Sequence, residues 1–180
     1  MKTTVARRQS GTGVAEGAAT PTSQYVWAVA RIAMGWIFLW AFVDKLFGFG
    51  FATPAGKGWL EGGEPTRGFL TGSAAGPFED FYRAIAGAGW ADTLFMLGLL
   101  GLGVALLAGV GMQIAAGTGA VLMTLMWSVT LPATTNPLID DHLILAVLLI
   151  GLATVNAGDT WGLGRRWSQL ELVRRYPVLR

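Results

Sequence analysis

Four runs of apolar residues, at 25–45, 91–110, 112–132 and 139–157, constrain this chain more than any other feature. Each is near the ~20 residues that a helix needs to cross the hydrocarbon core of a bilayer. At that length only a helix satisfies its own backbone in lipid, because a spanning strand is about half as long. Composition agrees. Of the 180 residues, 53% are hydrophobic and only 13% are charged, against ~25% charged in a soluble domain. Most of the charges that remain fall between the apolar runs. The expected fold class is therefore all-α, an integral membrane four-helix bundle.

The connections refine that expectation. Residues 1–24 are polar and rich in small residues, and contain no apolar stretch of the kind that makes a signal peptide. Arg7 and Arg8 are paired, but no apolar segment follows closely, so a twin-arginine signal is rejected. A disordered tail is expected there. The second and third runs meet at GVGMQ, which leaves room for a tight helical hairpin only. Pro132, Asn136 and Pro137 break the chain before the fourth run. The spacing Gly101, Ala105, Gly109 and again Ala115, Gly119 predicts close packing of the second and third helices. A long loop, 46–90, contains GPFEDFYRAIAGA. There Phe78, Phe81, Tyr82 and Ile85 follow helical spacing, and a short interfacial helix is expected. Residues 159–180 read as an amphipathic tail, with Trp167, Leu170 and Val173 dipping into the bilayer while arginines meet lipid phosphates. Trp27, Trp90 and Trp161 fall near the expected boundaries, where aromatic belts form.

Positive charge sets the orientation. Lys2, Arg7 and Arg8 precede the first run; Arg165, Arg166, Arg174, Arg175 and Arg180 follow the last. The loop 46–90 is mixed, and the turn before the fourth run holds Asp140 and Asp141 with no Lys or Arg. Both termini are expected on the cytoplasmic side of the inner (plasma) membrane, with the loop 46–90 and the DDH turn outside.

Function classes are narrowed by what is absent. There is no cysteine, so thiol chemistry, iron–sulfur ligation and covalent haem are excluded within this chain. One histidine and two adjacent aspartates match no metal-ligand spacing, so no metal site is expected. Nucleotide-binding loops and nucleic-acid features are missing.

The polar residues that interrupt the apolar runs carry the functional reading. Arg31 lies about two turns into the first run. It is either an anchor that snorkels to the interface or a group inside the bundle; at a helix centre its insertion would cost roughly 2.5–3.5 kcal/mol. Lys45 follows 14 positions later, on nearly the same stripe as Arg31, Gly35, Phe38 and Phe42 but roughly 21 Å away. Asp44 points off that stripe. Asp44 and Lys45 from the first run, Trp90 and Asp92 from the second, Asn136 after the third, and Asp140, Asp141 and His142 at the start of the fourth converge on one mouth. Asp141 beside His142 would fix the imidazole tautomer and ready it to exchange a proton near neutral pH. Such a group next to an apolar slot could bond a quinone carbonyl. The alternative is plainer: aspartates cap helix N-termini, and the histidine bonds a loop carbonyl.

At RIAMGWIFLWAFVDKLFGFGFATP, WLEGGEPTRGFL, NPLIDDHLILAVLLIGLA and AGDTWGLGRRW the chain resembles the DoxX/DoxD-type membrane proteins, in particular their actinobacterial branch. The resemblance runs from about Arg31 to the C-terminus. It implies a four-helix membrane bundle. It also implies kinship with the large subunit of a thiosulfate:quinone oxidoreductase, which works with a second subunit. Other relatives look like accessory proteins of membrane redox complexes or of receptor assembly. The resemblance supplies no catalytic motif, so the site residues rest on this sequence alone. They are His142 and Asp141 as the proton-handling pair, and Arg31, Asp44, Lys45, Asn136 and Asp140 around a quinone, menaquinone or ubiquinone. Lys45, Lys57 and Arg67 would attract an anionic donor such as thiosulfate, although the carboxylates at the same mouth would oppose a dianion. A probable second protein subunit and homo-oligomerisation are the expected partners, besides the lipid bilayer. The competing readings are a non-catalytic scaffold or accessory subunit, and a small lipid or solute carrier.

Overall fold

The computed structural model describes residues 21–133 and 136–180, which are all-helical with no strand. Eight helices follow in order: α1 (Pro21–Phe47), α2 (Arg67–Gly72), α3 (Glu79–Ile85), α4 (Gly89–Ala108), α5 (Met112–Val129), α6 (Asp141–Thr154), α7 (Gly164–Trp167) and α8 (Glu171–Arg175). Three of them, α1, α4 and α5, are long and apolar enough to cross a membrane. Helix α6 is apolar but shorter, at 14 residues, or roughly 21 Å at 1.5 Å per residue. These helices expose large apolar side chains, such as Trp36 and Ile37 on α1, Leu94 and Leu97 on α4, Val121 on α5, and Ile144, Val147 and Ile150 on α6. Apolar surface on that scale needs a covering, which suits helices long and apolar enough to cross a membrane.

Helix boundaries depart from the sequence expectation for local reasons. Helix α1 starts at Pro21, earlier than residue 25, so residues 21–24 are helical and not part of a disordered tail. Proline suits a first helical position because its missing N–H has no intrahelical partner there. Residues 1–20, with Lys2, Arg7 and Arg8, lie outside the described residues. Helix α6 spans less than the expected 139–157. Asp140 caps its start by accepting the Leu143 N–H. After its end, Asn156 adopts a left-handed conformation (φ 49°), turning residues 157–159 into a 3₁₀ turn.

Helix α1 packs chiefly on α4, and α5 on α6, with α4 against α5 completing the core. Met34, Phe38, Met96, Leu99, Leu106, Leu149 and Leu152 lie at its centre. The close approach between helices is only in part where the sequence spacing placed it: Gly119 of α5 does sit against Leu102 of α4. A Cβ on Gly101 would meet nothing, so the Gly101, Ala105, Gly109 ladder does not seam α4 to α5. Instead Gly35 of α1 sits against Leu106 and Leu107, and Gly103 of α4 sits against the backbone of Leu39; a Cβ at either glycine would lie within 2.9 Å of its neighbour. Gly119 faces Leu149 and Leu102 in the same way. Helix faces differ by 100° per residue, so a shift of two positions moves the seam to another partner.

The segment between α1 and α4 holds two short helices rather than one. Its small core of Leu70, Ala74, Tyr82 and Val129 fastens α2 and α3 to the end of α5. Tyr82 is thus buried against protein, while Phe78 and Phe81 of the same segment are exposed. The C-terminal segment also departs from expectation: Val173 is buried, whereas Leu170 is exposed.

Candidate functional site

The chain runs up and down, so the N-terminal part of α1 meets the C-terminal ends of α4 and α6. Arg31 sits at that end and is fully buried. Its guanidinium donates only to backbone carbonyls. Nε reaches Ala157 O at 3.1 Å; Nη1 reaches Leu107 O at 3.0 Å and also Leu106 O; Nη2 reaches Thr160 O at 3.2 Å and Trp161 O at 3.0 Å. The Leu106 and Leu107 carbonyls belong to the last turn of α4, where intrahelical donors run out; Leu106 O also accepts the Gly109 N–H of the cap at 3.2 Å. A cation suits that place because the helix dipole is negative there. Gly109, at φ 71°, turns the chain after α4. It lies against Gly158, where a Cβ would fall 2.3 Å from Gly109 O. Arg31 therefore rivets α1, the end of α4 and the turn after α6. It is neither a snorkelling anchor nor part of the group expected around a cofactor at the other end.

At the opposite end, the carboxylates are spoken for by the chain itself. Asp44, buried at the end of α1, accepts the Thr53 N–H at 2.8 Å and the Phe51 N–H at 3.4 Å. It folds the following loop back over the helix, which explains its burial off the Arg31 stripe. Asp92, also buried, accepts from the Thr66 N–H at 2.8 Å and the Thr66 hydroxyl at 2.6 Å, and Thr66 Oγ1 accepts the Gly87 N–H. This clip ties the middle of the 46–90 segment, at Thr66, and its end, at Gly87, to α4. Asn136 lies in the exposed turn before α6 and accepts the Leu138 and Ile139 N–H groups. It lines no cavity.

His142 pairs with Asp140, not with Asp141. Nδ1 lies 2.7 Å from Asp140 Oδ2, which also accepts the Thr130 hydroxyl at 3.0 Å. In the first turn of α6 a residue two positions after the cap folds back toward it, whereas the neighbour at 141 projects away. Asp141 is exposed and makes no hydrogen bond among the described residues. Burial pushes the Asp140 carboxyl up, but hydrogen bonds from His142, the Leu143 N–H and Thr130, with the charge on His142, hold it below the usual carboxylate range. The His142 ring lies 5.8 Å from that of Phe69, centroid to centroid.

Phe69 leads to two cavities that the sequence did not reveal. One, of about 630 Å³, is lined by Lys45, Lys57, Glu61, Glu64, Arg67, Phe69 and the loop backbone around Thr53 and Gly63. It brings together the three cations that are far apart in the chain. Arg67 is paired with Glu64 at 2.5 Å, and Glu61 accepts the Gly58 N–H at 3.3 Å. The side chains of Lys45 and Lys57 make no hydrogen bond or salt bridge among the described residues. The cavity lining holds three cations against two carboxylates, with the charge of buried Asp44 acting on Lys45. The side chains of Lys45 and Lys57 are the charges there with capacity left for an anion. The WLEGGEPTRGFL stretch makes this wall: Gly62 (φ 83°) and Gly63 let the chain fold tightly, and a Cβ at Gly63 would fall 2.0 Å from Lys57 O. The other cavity, of about 210 Å³, is an apolar cleft between α2–α3 and α4–α5, lined by Phe69, Tyr82, Trp90, Leu94, Leu122 and Leu125 among others. The Tyr82 hydroxyl is bonded to Ser128 at 2.5 Å. His142 lines neither cavity; it stands behind the shared wall, Phe69.

Comparison with protein-family models, with curated proteins and with solved structures returns no match.

Proposed function

We propose that this chain is a DoxX-like membrane subunit of a quinone-linked oxidoreductase, of the thiosulfate:quinone type, working with a second subunit. With α6 as a fourth, shorter crossing beside the three long helices, and both termini cytoplasmic, the cationic cavity would face the outer side of the inner membrane. The observation that carries the reading is the juxtaposition across Phe69: a cavity with Lys45, Lys57 and Arg67 on one side, an apolar cleft on the other. A small sulfur oxyanion suits the first. The carboxylates at this end keep their charge, and Glu64 and Arg67 offset each other, so the attraction for a dianion rests on Lys45 and Lys57.

Lys45 and Lys57 would bind and orient the anion. Joining two thiosulfate ions through a new S–S bond releases two electrons and no proton, so the donor side needs an electron acceptor and no base. The chain has no cysteine to hold sulfur covalently. The apolar cleft fits a quinone ring by its lining, with Trp90, Leu94 and Leu125 to cover the ring and Tyr82 as a nearby hydroxyl. A quinone held there would supply a two-electron, two-proton acceptor. His142, with Nδ1 engaged by Asp140, keeps Nε2 for proton exchange behind Phe69.

The test is mass spectrometry of quinones co-purifying in mild detergent, together with thiosulfate binding by calorimetry. Wild type is expected to hold a quinone. Leu125→Trp, which fills the cleft, is expected to lose it. Lys45→Ala with Lys57→Ala is expected to lose thiosulfate binding and keep the quinone. Absence of quinone and of anion binding in wild type would overturn the reading in favour of a non-catalytic scaffold.

A further inference from the structure

The end of the molecule that holds Arg31 carries a second, unrelated feature. Residues 159–180 contain five arginines against two acidic residues, Asp159 and Glu171. The segment is docked, not trailing. Leu163 N–H donates to Ala108 O at 2.8 Å, Trp167 Nε1 to Leu179 O at 2.5 Å, and Gln113 N–H to Arg180 O at 2.9 Å. Arg180 pairs with Asp159 at 3.2 Å. Val173 is buried beneath. That anchoring leaves Arg165, Arg166, Arg174 and Arg175 exposed and without a carboxylate partner among the described residues. Arg175 lies over the Tyr176 ring.

Between this segment and the α4–α5 turn runs an apolar groove of about 290 Å³, lined by Val110, Leu163, Trp167 and Leu170, with Arg166 as its one charged residue. It lies beside the ends of helices long and apolar enough to cross a membrane, at the depth where acyl chains meet headgroups. Trp161, Leu163, Leu170 and Leu172 are exposed around it. An apolar slot with a guanidinium at its rim, inside a field of unpaired arginines, has the two-part chemistry of an anionic phospholipid: an acyl chain for the slot and a phosphate for the fork of the arginine. A zwitterionic lipid brings its own cation to the same field and gains less. We infer that this groove is a specific site for an anionic phospholipid, whose acyl chain lies along Val110, Leu163 and Leu170 and whose phosphate is held by Arg166.

The experiment uses the full chain in mild detergent, by native mass spectrometry and thermal melting, with phosphatidylglycerol, phosphatidylcholine and inorganic phosphate added in parallel. Expected is one retained phosphatidylglycerol per chain with a rise in melting temperature, at least fivefold weaker retention of phosphatidylcholine, and no shift with phosphate. Arg166→Gln and, separately, Leu170→Trp are each expected to lower phosphatidylglycerol retention at least fivefold. Leu170→Trp fills the groove and leaves every charge in place, so it decides the matter if Arg166→Gln lowers the melting temperature of the lipid-free protein. Equal retention of the two lipids, a match between phosphate and phosphatidylglycerol, or full retention in Leu170→Trp would overturn the site.

Discussion

The two ends of the helical core treat buried charge in opposite ways. At one end a single cation, Arg31, is dissolved in five backbone carbonyls and sealed from solvent. At the other end the anions are dissolved in backbone N–H groups and hydroxyls, and the cations are left facing a cavity. The comparison teaches that burial alone does not mark a site. A buried charge whose hydrogen-bonding capacity is filled by main chain is a fastener. A half-buried charge such as Lys45, whose side chain makes no hydrogen bond or salt bridge among the described residues, has capacity left for a ligand.

The largest effect is expected at the first end. Arg31→Met orphans up to four carbonyls, since Leu106 O keeps the Gly109 N–H, and should cost about 3–5 kcal/mol, by analogy with breaking a buried charged network. Arg31→Lys should rescue little, because an ammonium has three donors and no planar fork. Thermal melting in detergent reads both; a wild-type melt for Arg31→Met would break the contrast between the two ends. Next is the seam beneath it. Gly103→Ala drives a methyl into the Leu39 backbone and should cost about 1–3 kcal/mol. Gly101→Ala, two positions away, should be neutral or gain up to about 1 kcal/mol from helix propensity. Equal effects would show that the close α1–α4 approach is misplaced.

At the opposite end, Asp92→Ala should cost about 1–3 kcal/mol, because the buried Thr66 N–H and hydroxyl lose their shared acceptor. The smallest effect is expected at Asp140. Its carboxyl is held below the usual carboxylate range in the folded protein, so the folded state binds fewer protons there than the unfolded state. The stability it confers is complete above the ordinary carboxylate pKa and is lost as pH falls through the lower folded value. Asp140→Asn should remove that acid-side loss at this site and, through the weaker cap, cost up to about 1 kcal/mol at neutral pH. Melting curves between neutral and acid pH for both proteins would check the sign; identical acid profiles would mean that the Asp140 interactions do not persist in solution.

Much of the site was half legible. The convergence of Asp44, Lys45, Asp92, Asp140 and His142 on one end follows from the alternation of the apolar runs, which fixes which ends meet. The partner of His142 was not legible, because Asp140 and Asp141 are chemically identical in sequence. Only the phase of the first helical turn separates the cap from the residue that projects away. The cationic cavity was legible as a list, Lys45, Lys57 and Arg67, but not as a place. Its shape depends on how the glycine-rich 46–90 segment folds over the end of α1. Phe69 carried no signal at all: an aromatic in a short helix gives no hint that two cavities share it as a wall.

The sequence by itself determined the helical class and the apolar segments that form the core, because backbone satisfaction in an apolar run of that length leaves one solution. It also determined which polar residues reach each end, because rise per residue is fixed. The tertiary structure alone decided which faces touch, which charges are spent on the main chain, and where a ligand has room. Those depend on helix rotation and on loop closure, and a change of 100° or one residue there redirects a side chain without altering the pattern that the sequence displays.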